Sequence, residues 1–301
     1  MISSGGGDRV AMSDARLGML LGLLGVVGFS VTLPATRLAV YYIDPLMVGL
    51  WRALVAAVCA MVMLLLTRQP LPAASQLKGL MVVALGVIVG FPLLSAIALQ
   101  QLPAAHGAVV VAVLPMLTAV VGAIRMHQRP SIQFWLMSVA GTLLVVMFAV
   151  GSGIQGLQVA DGILLLACLA AAFGYVEGGR LAKDMGGWQV ICWALVLVMP
   201  FLLLPVGWSF HQHGFNAPLS GWLAFLYVSL VSQFFAFFLW YQGMAMAGVV
   251  RVSQLQLLQP FMTLLVAAVV LNETITSGMI VFATAVVATV AVSRCMPIAQ
   301  H

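Results

Sequence analysis

Charged side chains are scarce in this chain. Asp, Glu, Lys and Arg together make up only 6% of its 301 residues, against about a quarter in ordinary globular domains. Hydrophobic residues make up 63% of the chain. Because a water-exposed surface needs many charged groups, this composition excludes a soluble globular domain and predicts a protein that lies within a lipid bilayer.

Residues that bind metals or carry out catalysis are also few and scattered. His211 and His213 lie close together without a cysteine or acidic neighbour, so they predict no metal site. The four cysteines show no metal or redox spacing and are expected to be buried thiols: Cys59, Cys168, Cys192 and Cys295. The apolar segments contain no HExxH or GxSxG motif and no ATP-binding loop. The sequence therefore predicts no cofactor, no metal and no enzymatic activity.

Long apolar segments fill the chain instead. A transmembrane helix needs about twenty mostly apolar residues. Ten stretches meet this requirement: 17–36, 45–67, 79–100, 104–124, 132–150, 160–180, 188–208, 219–243, 249–271 and 277–293. The connections between them are too short to hold a soluble domain. The sequence predicts an all-α polytopic membrane protein with ten transmembrane helices.

The distribution of lysine and arginine predicts the orientation of these helices. With a cytoplasmic N-terminus, nine of these cations flank the inner helix ends and only Arg37 lies in an outer loop. Cytoplasmic loops of membrane proteins carry such an excess of positive charge. We therefore expect a multi-pass protein of the cell inner membrane with both termini in the cytoplasm. The net charge of +5 then requires no nucleic-acid partner.

The chain repeats one helix pattern in its two halves. Residues 102–131 and 247–276 lie 145 residues apart, and each has an apolar helix with one central proline, Pro115 or Pro260. Five helices per half is an odd number, so the second half must be inverted in the membrane relative to the first. The predicted organisation is a flexible cytoplasmic tail (1–16), two five-helix repeats (17–150 and 151–294) and a cytoplasmic C-terminal tail (295–301).

Motifs in a fixed order along the chain resemble the EamA-type transporters of the drug/metabolite transporter superfamily. Family halves open with a helix that ends in a basic residue, then a proline-led helix with an arginine. Here these are GFSVTLPATR, ending at Arg37, and DPLMVGLWRAL, with Arg52. Family halves close with a proline-centred helix and a glutamate turn, here NETITSG with Glu273, whereas the first half has Gln128 in place of that glutamate. The resemblance covers residues 17–293.

The resemblance implies ten helices around a central cavity and the export of small metabolites, foremost amino acids, including aromatic and other neutral ones. In such a secondary transporter, two inverted halves give alternating access to the cavity. Its partners are a small-molecule substrate and the lipid bilayer, and both a monomer and a homodimer stay open. Three alternative functions also stay open: a proton-coupled exporter of drugs or toxic compounds, an intramembrane enzyme and a non-transporting receptor.

Pro115 and Pro260 are the predicted hinges, because each lies near the middle of its helix. Proline has no N–H and leaves the carbonyl four residues earlier unpaired, here at Val111 and Gln256. A freed carbonyl is costly in lipid unless it faces protein or water. We expect kinks that line the cavity and let the half-helices move. A static kink satisfied by neighbouring helices is the alternative.

Two charged residues lie well inside the predicted spans, away from the span ends: Arg52 and Glu177. A guanidinium fits a substrate carboxylate well, whereas a structural bond to Asp44 or to backbone carbonyls is the alternative role for Arg52. Glu177 is the candidate for proton coupling, because a carboxyl group inside a span can gain and lose a proton. An ion pair with Arg180, three residues on, is the alternative for Glu177.

Polar and aromatic side chains inside the predicted helices complete the candidate site. Gln233 and Trp240 are seven residues apart and share one helical face, with Tyr241 beside it. An aromatic wall with an amide suits an amphipathic metabolite, and lipid-facing aromatics are the alternative. The predicted substrate-binding set is Arg52, Ser95, His106, Tyr175, Gln233, Trp240, Tyr241, Gln256 and Gln259.

Overall fold

Helices dominate the computed structural model of this protein, which describes residues 5–125, 129–151, 158–213, 216–247, 252, 254–294 and 298–299. The first half contains α1 (Gly5–Ser30), α2 (Thr32–Tyr42), α3 (Pro45–Leu66), α4 (Ala74–Val83), a π-helix π1 (Ala84–Gly90), α5 (Phe91–Ala98), α6 (Ala104–Val111), α7 (Leu114–Arg125) and α8 (Ile132–Gly151). The second half contains α9 (Val159–Met185), α10 (Gly187–His213), α11 (Leu219–Leu226), a π-helix π2 (Tyr227–Phe235), α12 (Ala236–Ala247), a 3₁₀ helix (Gln254–Leu258), α13 (Gln259–Leu271) and α14 (Ser277–Arg294). Two short antiparallel strands, β1 (Arg129–Pro130) and β2 (Ile298–Ala299), join the two halves.

Seven helices in the described part of the chain are long and apolar enough to cross a membrane. They are Ala15–Tyr42, Pro45–Leu66, Ala74–Ala98, Ala104–Arg125, Val159–Met185, Gly187–Trp208 and Leu219–Ala247. Three further helices are apolar but shorter: Trp135–Val145, Leu255–Leu271 and Ser277–Thr289. The helical, multi-pass class predicted from the sequence is confirmed, with one two-residue strand pair added. The count of ten spans stays a prediction.

The outside of the bundle is apolar. Leu66, Phe201, Leu204 and Val269 are each more than two thirds exposed. Large apolar side chains in contact with water would be unfavourable, but lipid chains solvate them well. The exposed surface therefore suits the hydrocarbon interior of a bilayer.

The main helix contacts that the first half makes with the second have equivalent contacts made by the second half with the first. The first helix of the first half, α1, packs against α12, the end of the third span of the second half. Correspondingly, α9, the first helix of the second half, packs against α4, π1 and α5, which form the third span of the first half. The second, fourth and fifth helices of the two halves pair with each other, as α3 with α10, α6 with α13, and α8 with α14. Because the two halves make equivalent contacts with each other, the fold has a two-repeat architecture.

Glycines allow α1 and α12 to lie in close contact. The spacing of Gly18, Gly22 and Gly25 predicts close helix packing, and the structure confirms it. A Cβ atom on Gly243 of α12 would lie 2.7 Å from the carbonyl oxygen of Gly18 and 2.8 Å from the backbone nitrogen of Gly22. Because these neighbours are backbone atoms, no side-chain rotation can relieve the clash.

We expect Gly243→Leu to prevent correct packing of the two halves. Overpacking a tight site costs about 1–3 kcal/mol or more, and here the helices themselves must separate. The matched control is Gly207→Leu, because a Cβ at Gly207 would meet no atom within 4 Å. Thermal stability and gel-filtration profiles in detergent measure the difference. Equal melting temperatures for the two variants would contradict this expectation.

Helix interruptions occur at equivalent places in the two halves. Both π-helices lie in the third span of their half, and π-helical turns are frequent at functional sites. In the fourth span of the first half, α6 ends at Val111 and α7 begins at Leu114, next to Pro115. In the second half, a 3₁₀ helix precedes Pro260. The kinks predicted at both prolines are confirmed, and their role as hinges stays a prediction.

Candidate functional site

Two adjoining cavities lie between the halves at the level of the proline breaks. The first, here the proline cavity, is lined by Leu33, Ala108, Val111, Leu114, Pro115, Gln256, Gln259, Pro260 and Thr263. The second, here the arginine cavity, is lined by Phe29, Thr32, Arg52, Val87, Phe91, Leu114, Ala171, Tyr175, Ser232, Gln233, Phe237 and Gln259. The arginine cavity has room for about one or two water molecules, not for an amino acid. We call this arrangement, in which the two described cavities have no room for a substrate of that size, the closed structure.

Arg52 places a buried positive charge in the arginine cavity. Its side chain is only 2% exposed, and Nη2 donates one hydrogen bond of 3.1 Å to Ser232 Oγ. Its Nε and Nη1 atoms have no hydrogen-bond partner among the described residues. Asp44, the alternative partner suggested by the sequence, instead accepts hydrogen bonds from the backbone N–H groups of Leu46 and Met47. The guanidinium of this cavity-lining residue therefore retains unused donors.

Neutral polar groups surround this charge. Gln233 Nε2 donates to the carbonyl of Val87 (3.2 Å), so π2 contacts π1 at the centre of the bundle. Among the described residues, Gln233 Oε1 is buried without a partner. No carboxylate lines either cavity in the part of the chain that the structure describes. Buried groups left unpaired in this way are costly unless a ligand or water binds them.

Aromatic rings form one wall of the arginine cavity. Phe29 and Phe237 pack edge to face with centroids 4.9 Å apart, and Tyr175 lies 6.2 Å from Phe237. Trp240 packs behind them against Phe29 and Tyr175, each at 6.1 Å, and its indole N–H is buried without a partner. The aromatic wall expected from the sequence thus includes α1 and α9, which the pattern in helix eight did not indicate.

The cavities bring together only part of the predicted set. Arg52, Tyr175, Gln233, Gln256 and Gln259 line them together with both prolines. The others lie elsewhere: Ser95 bonds to the Pro92 carbonyl, Tyr241 donates to the Gly174 carbonyl, and Trp240 lies in the second layer. Gln128 falls outside the described residues.

Tyr241 lies in a close contact between α12 and α9. A Cβ on Gly178 would coincide with the Tyr241 phenol, so glycine is needed there for the ring to fit. The hydroxyl also donates to the Gly174 carbonyl at 3.3 Å. These contacts give Tyr241 a packing role beside any role in substrate binding.

Polar contacts between the halves close both ends of the bundle. At the predicted outer end, Glu273 accepts hydrogen bonds from the backbone N–H groups of Ala104 (2.9 Å) and Ala105 (2.7 Å). At the predicted inner end, Glu177 pairs with Arg125 of the first half at 3.7 Å. Glu177 also pairs with Arg180 at 2.6 Å, which is the structural alternative left open by the sequence.

His106 does not reach either cavity. Its Nε2 lies 2.7 Å from Asp161 Oδ1, and both side chains are buried. Sequence reasoning missed Asp161 because it lies in the first turn of α9, where a carboxylate is an ordinary N-terminal feature. It also missed the hydrogen bond between Thr32 and Ser232 (2.8 Å), because these residues lie 200 positions apart. A weak signal existed for Ser232, which directly precedes Gln233.

Apolar spans around a buried polar centre define a multi-pass membrane protein. Residues 16–150 and 158–295 each match the EamA-like transporter family. The chain therefore belongs to the EamA-like transporter family.

Similar proteins agree with this assignment. A Bacillus subtilis (strain 168) protein named "Uncharacterized transporter YdeK" is 43% identical over 284 residues, covering 94% of this chain and 99% of that protein. A protein of known crystal structure has the same fold, with a TM-score of 0.64 and 17% identity over 92% of this chain and 98% of the other. The predicted family is confirmed, and the protein is a membrane transporter.

Proposed function

We propose that the protein is a secondary transporter that exports small metabolites carrying a carboxylate, foremost amino acids. The observation that carries this proposal is Arg52, a buried guanidinium. Among the described residues, two of its nitrogen atoms have no partner and its cavity is lined by no carboxylate. A bidentate carboxylate would satisfy this donor fork and neutralise its charge. The free Oε1 atom of Gln233 is a suitable acceptor for the ammonium group of a zwitterion.

The aromatic wall supports an apolar or aromatic substrate side chain. Phe29, Tyr175 and Phe237 line the cavity, and ring faces stack well on flat apolar groups. The charge in the cavity argues against a cationic drug, because such a molecule would meet Arg52 without an intervening anion. Like charges placed together cost several kcal/mol, on the order of 3. An amino acid therefore fits the lining better than a cationic toxic compound.

Alternating access of two inverted halves is the proposed mechanism. The contacts of Glu273 and Glu177 lie at opposite ends of the bundle, and each joins the two halves. Breaking one set while keeping the other would open the cavity to one side only. The proline breaks at Pro115 and Pro260 lie beside the cavity, where a half-helix can swing.

Ten spans, cytoplasmic termini and location in the inner membrane are parts of the same proposal. The supporting observation is the nine-to-one distribution of lysine and arginine. Glu177 as the carrier of proton coupling also stays a proposal. Its contacts with Arg125 and Arg180 support a structural ion pair instead, because two guanidinium groups hold its charge.

Substrate flux in proteoliposomes tests the proposed function. We expect efflux of radiolabelled phenylalanine or leucine above protein-free liposomes. Unlabelled phenylalanine should compete with the labelled substrate, whereas phenethylamine, the same molecule without the carboxylate, should not. Absence of flux for every amino acid would contradict the proposal and favour a non-transporting receptor. Equal competition by phenethylamine would contradict the role of the carboxylate.

A further inference from the structure

A buried acid–base pair lies at the predicted outer end of the bundle, outside both cavities. His106 Nε2 is 2.7 Å from Asp161 Oδ1, and both side chains are at most 2% exposed. Asp161 Oδ2 accepts a further hydrogen bond from the backbone N–H of Gln158 at 3.0 Å. The second ring nitrogen, His106 Nδ1, is buried and has no hydrogen-bond partner in the part of the chain that the structure describes. The pair thus has one nitrogen that a proton can join.

Few other charged or titratable groups surround this pair. The helices that pack against α6 are α2, α8, α9, α13 and α14. In their described residues and the adjoining turns, the charged groups at this end are Asp161, Glu273, Arg37 and Asp44, and Asp44 caps the start of α3. Glu273 is held by two backbone N–H groups, and Arg37 donates to backbone carbonyls at the end of the preceding span. Tyr41 and Tyr42 at the end of α2 are exposed.

The immediate surroundings of His106 are apolar and aromatic. Its ring lies 4.8 Å from the ring of Phe148, which in turn lies 5.4 Å from Phe282. In such surroundings the net charge of the pair determines the free-energy cost of burying it. An uncompensated charge costs several kcal/mol, on the order of 3 or more, whereas a neutral pair costs far less.

We infer that the His106–Asp161 pair is a proton-binding site that controls closure of the outer side of the substrate path. The inference rests on the proposed transport function. Without the proton, neutral His106 donates from Nε2 to ionised Asp161, and the pair has one negative charge. A proton from the outer solution adds to Nδ1, and the pair becomes an imidazolium–carboxylate with zero net charge. No other bond changes.

The closed structure fits the protonated state. The neutral ion pair tolerates burial, and the Phe148 ring face adds attraction for the imidazolium. Loss of the proton leaves a negative charge that water stabilises much better than the aromatic surroundings do. Deprotonation therefore favours separation of α6 from α9 and entry of water from the outside.

The position of α6 links this separation to the substrate path. His106 belongs to the first half, and its partner Asp161 belongs to the second. Ala108, two residues after His106 on α6, lines the proline cavity and is 2% exposed. Movement of α6 away from α9 consequently exposes Ala108 to the outer solution. A higher outer pH should open this side.

Thiol labelling of an Ala108→Cys variant measures this opening without any substrate. The native cysteines at 59, 168, 192 and 295 are first replaced by alanine, and a membrane-impermeant maleimide is added outside. Asn216→Cys, at an exposed site in the outer loop, provides the correction for thiol ionisation. The measured ratio is the labelling rate of Ala108→Cys divided by the labelling rate of Asn216→Cys. We expect this ratio to rise with pH between about 5.5 and 8, by at most about tenfold per pH unit for one proton.

Variants of the pair identify the source of the pH dependence. His106→Gln leaves Asp161 beside a neutral side chain that cannot take up the proton, so we expect a high ratio that does not rise further with pH. Asp161→Asn removes the negative charge, so we expect a low ratio that does not rise with pH. Glu177→Gln should keep the rise, because Glu177 lies at the other end of α9. A labelling ratio that does not change with pH when His106 and Asp161 are both present overturns the inference. This outcome does not depend on whether a variant of the pair folds. A rise that persists in both pair variants also overturns it.

The labelling result and the flux result can fail independently. A flat ratio together with normal amino-acid flux overturns the proton site and leaves the proposed transport intact. A pH-dependent ratio without flux of any amino acid supports the proton site and contradicts the proposed substrate class. Loss of the pH-dependent ratio in Glu177→Gln alone would overturn the assignment to His106 and Asp161.

Discussion

Arg52→Met is expected to abolish transport of carboxylate substrates without destabilising the protein. Removing one partner of a buried, charged hydrogen-bonded pair costs about 2–5 kcal/mol, which is at least about thirtyfold in apparent affinity. Among the described residues the guanidinium has only Ser232 as a partner. Methionine relieves the burial of an unpaired charge, so the melting temperature should stay equal or rise.

Two matched variants distinguish an effect on substrate recognition from an effect of positive charge alone and from an effect on protein stability. Arg52→Lys keeps the positive charge but lacks the planar fork, so we expect intermediate affinity. Arg37→Met removes an arginine that binds the carbonyls of Leu99 and Gln100, so it should lower stability and leave substrate affinity unchanged. Competition assays in proteoliposomes and thermal unfolding provide the two readouts. A destabilised Arg52→Met protein with normal affinity would assign Arg52 to the fold instead.

Glu273→Ala is expected to shift the conformational equilibrium strongly towards an open outer side. Each carboxylate oxygen accepts one backbone N–H at the start of α6. Hydrogen bonds to a charged group contribute about 1.5–3 kcal/mol each, and the helix dipole adds to this. A loss of about 3 kcal/mol corresponds to roughly a hundredfold change in the equilibrium. The labelling rate at Ala108→Cys measures it.

Controls show whether the effect comes from the contact between halves. Glu273→Gln retains one acceptor oxygen and should cause a smaller increase in labelling. Gln76→Ala removes a cap within one half, where the side chain accepts from Ala73 N–H at 2.9 Å, and should leave labelling unchanged. Unaltered labelling in Glu273→Ala would show that other contacts hold the outer end closed.

The position of Glu273 depends on a local conformation that the sequence only suggests. Asn272 adopts a left-handed backbone conformation (φ 53°) at the end of α13. Asparagine tolerates this conformation better than most residues and commonly ends helices. The turn directs Glu273 towards Ala104, which is 169 residues away in the chain. A turn was predictable from the motif, but its partner was not.

Spacing arguments assume a regular α-helix, and one helix segment at the candidate site is not regular. Gln233 and Trp240 are seven residues apart and would share a face of an α-helix. Gln233 lies in the π-helix Tyr227–Phe235, in which the angle per residue is smaller, so this spacing is altered. Gln233 consequently lines the cavity, while Trp240 packs in the layer behind it.

The sequence by itself determined the membrane class, the repeat and the helix breaks at Pro115 and Pro260. These follow from composition, from length and from the missing N–H of proline, which act within one helix. Only the tertiary structure decided which buried polar groups have partners. Glu177 is paired, Arg52 is nearly unpaired, and His106 meets Asp161. Such pairings depend on the rotation and depth of one helix against another, and many residues of both helices together set these quantities.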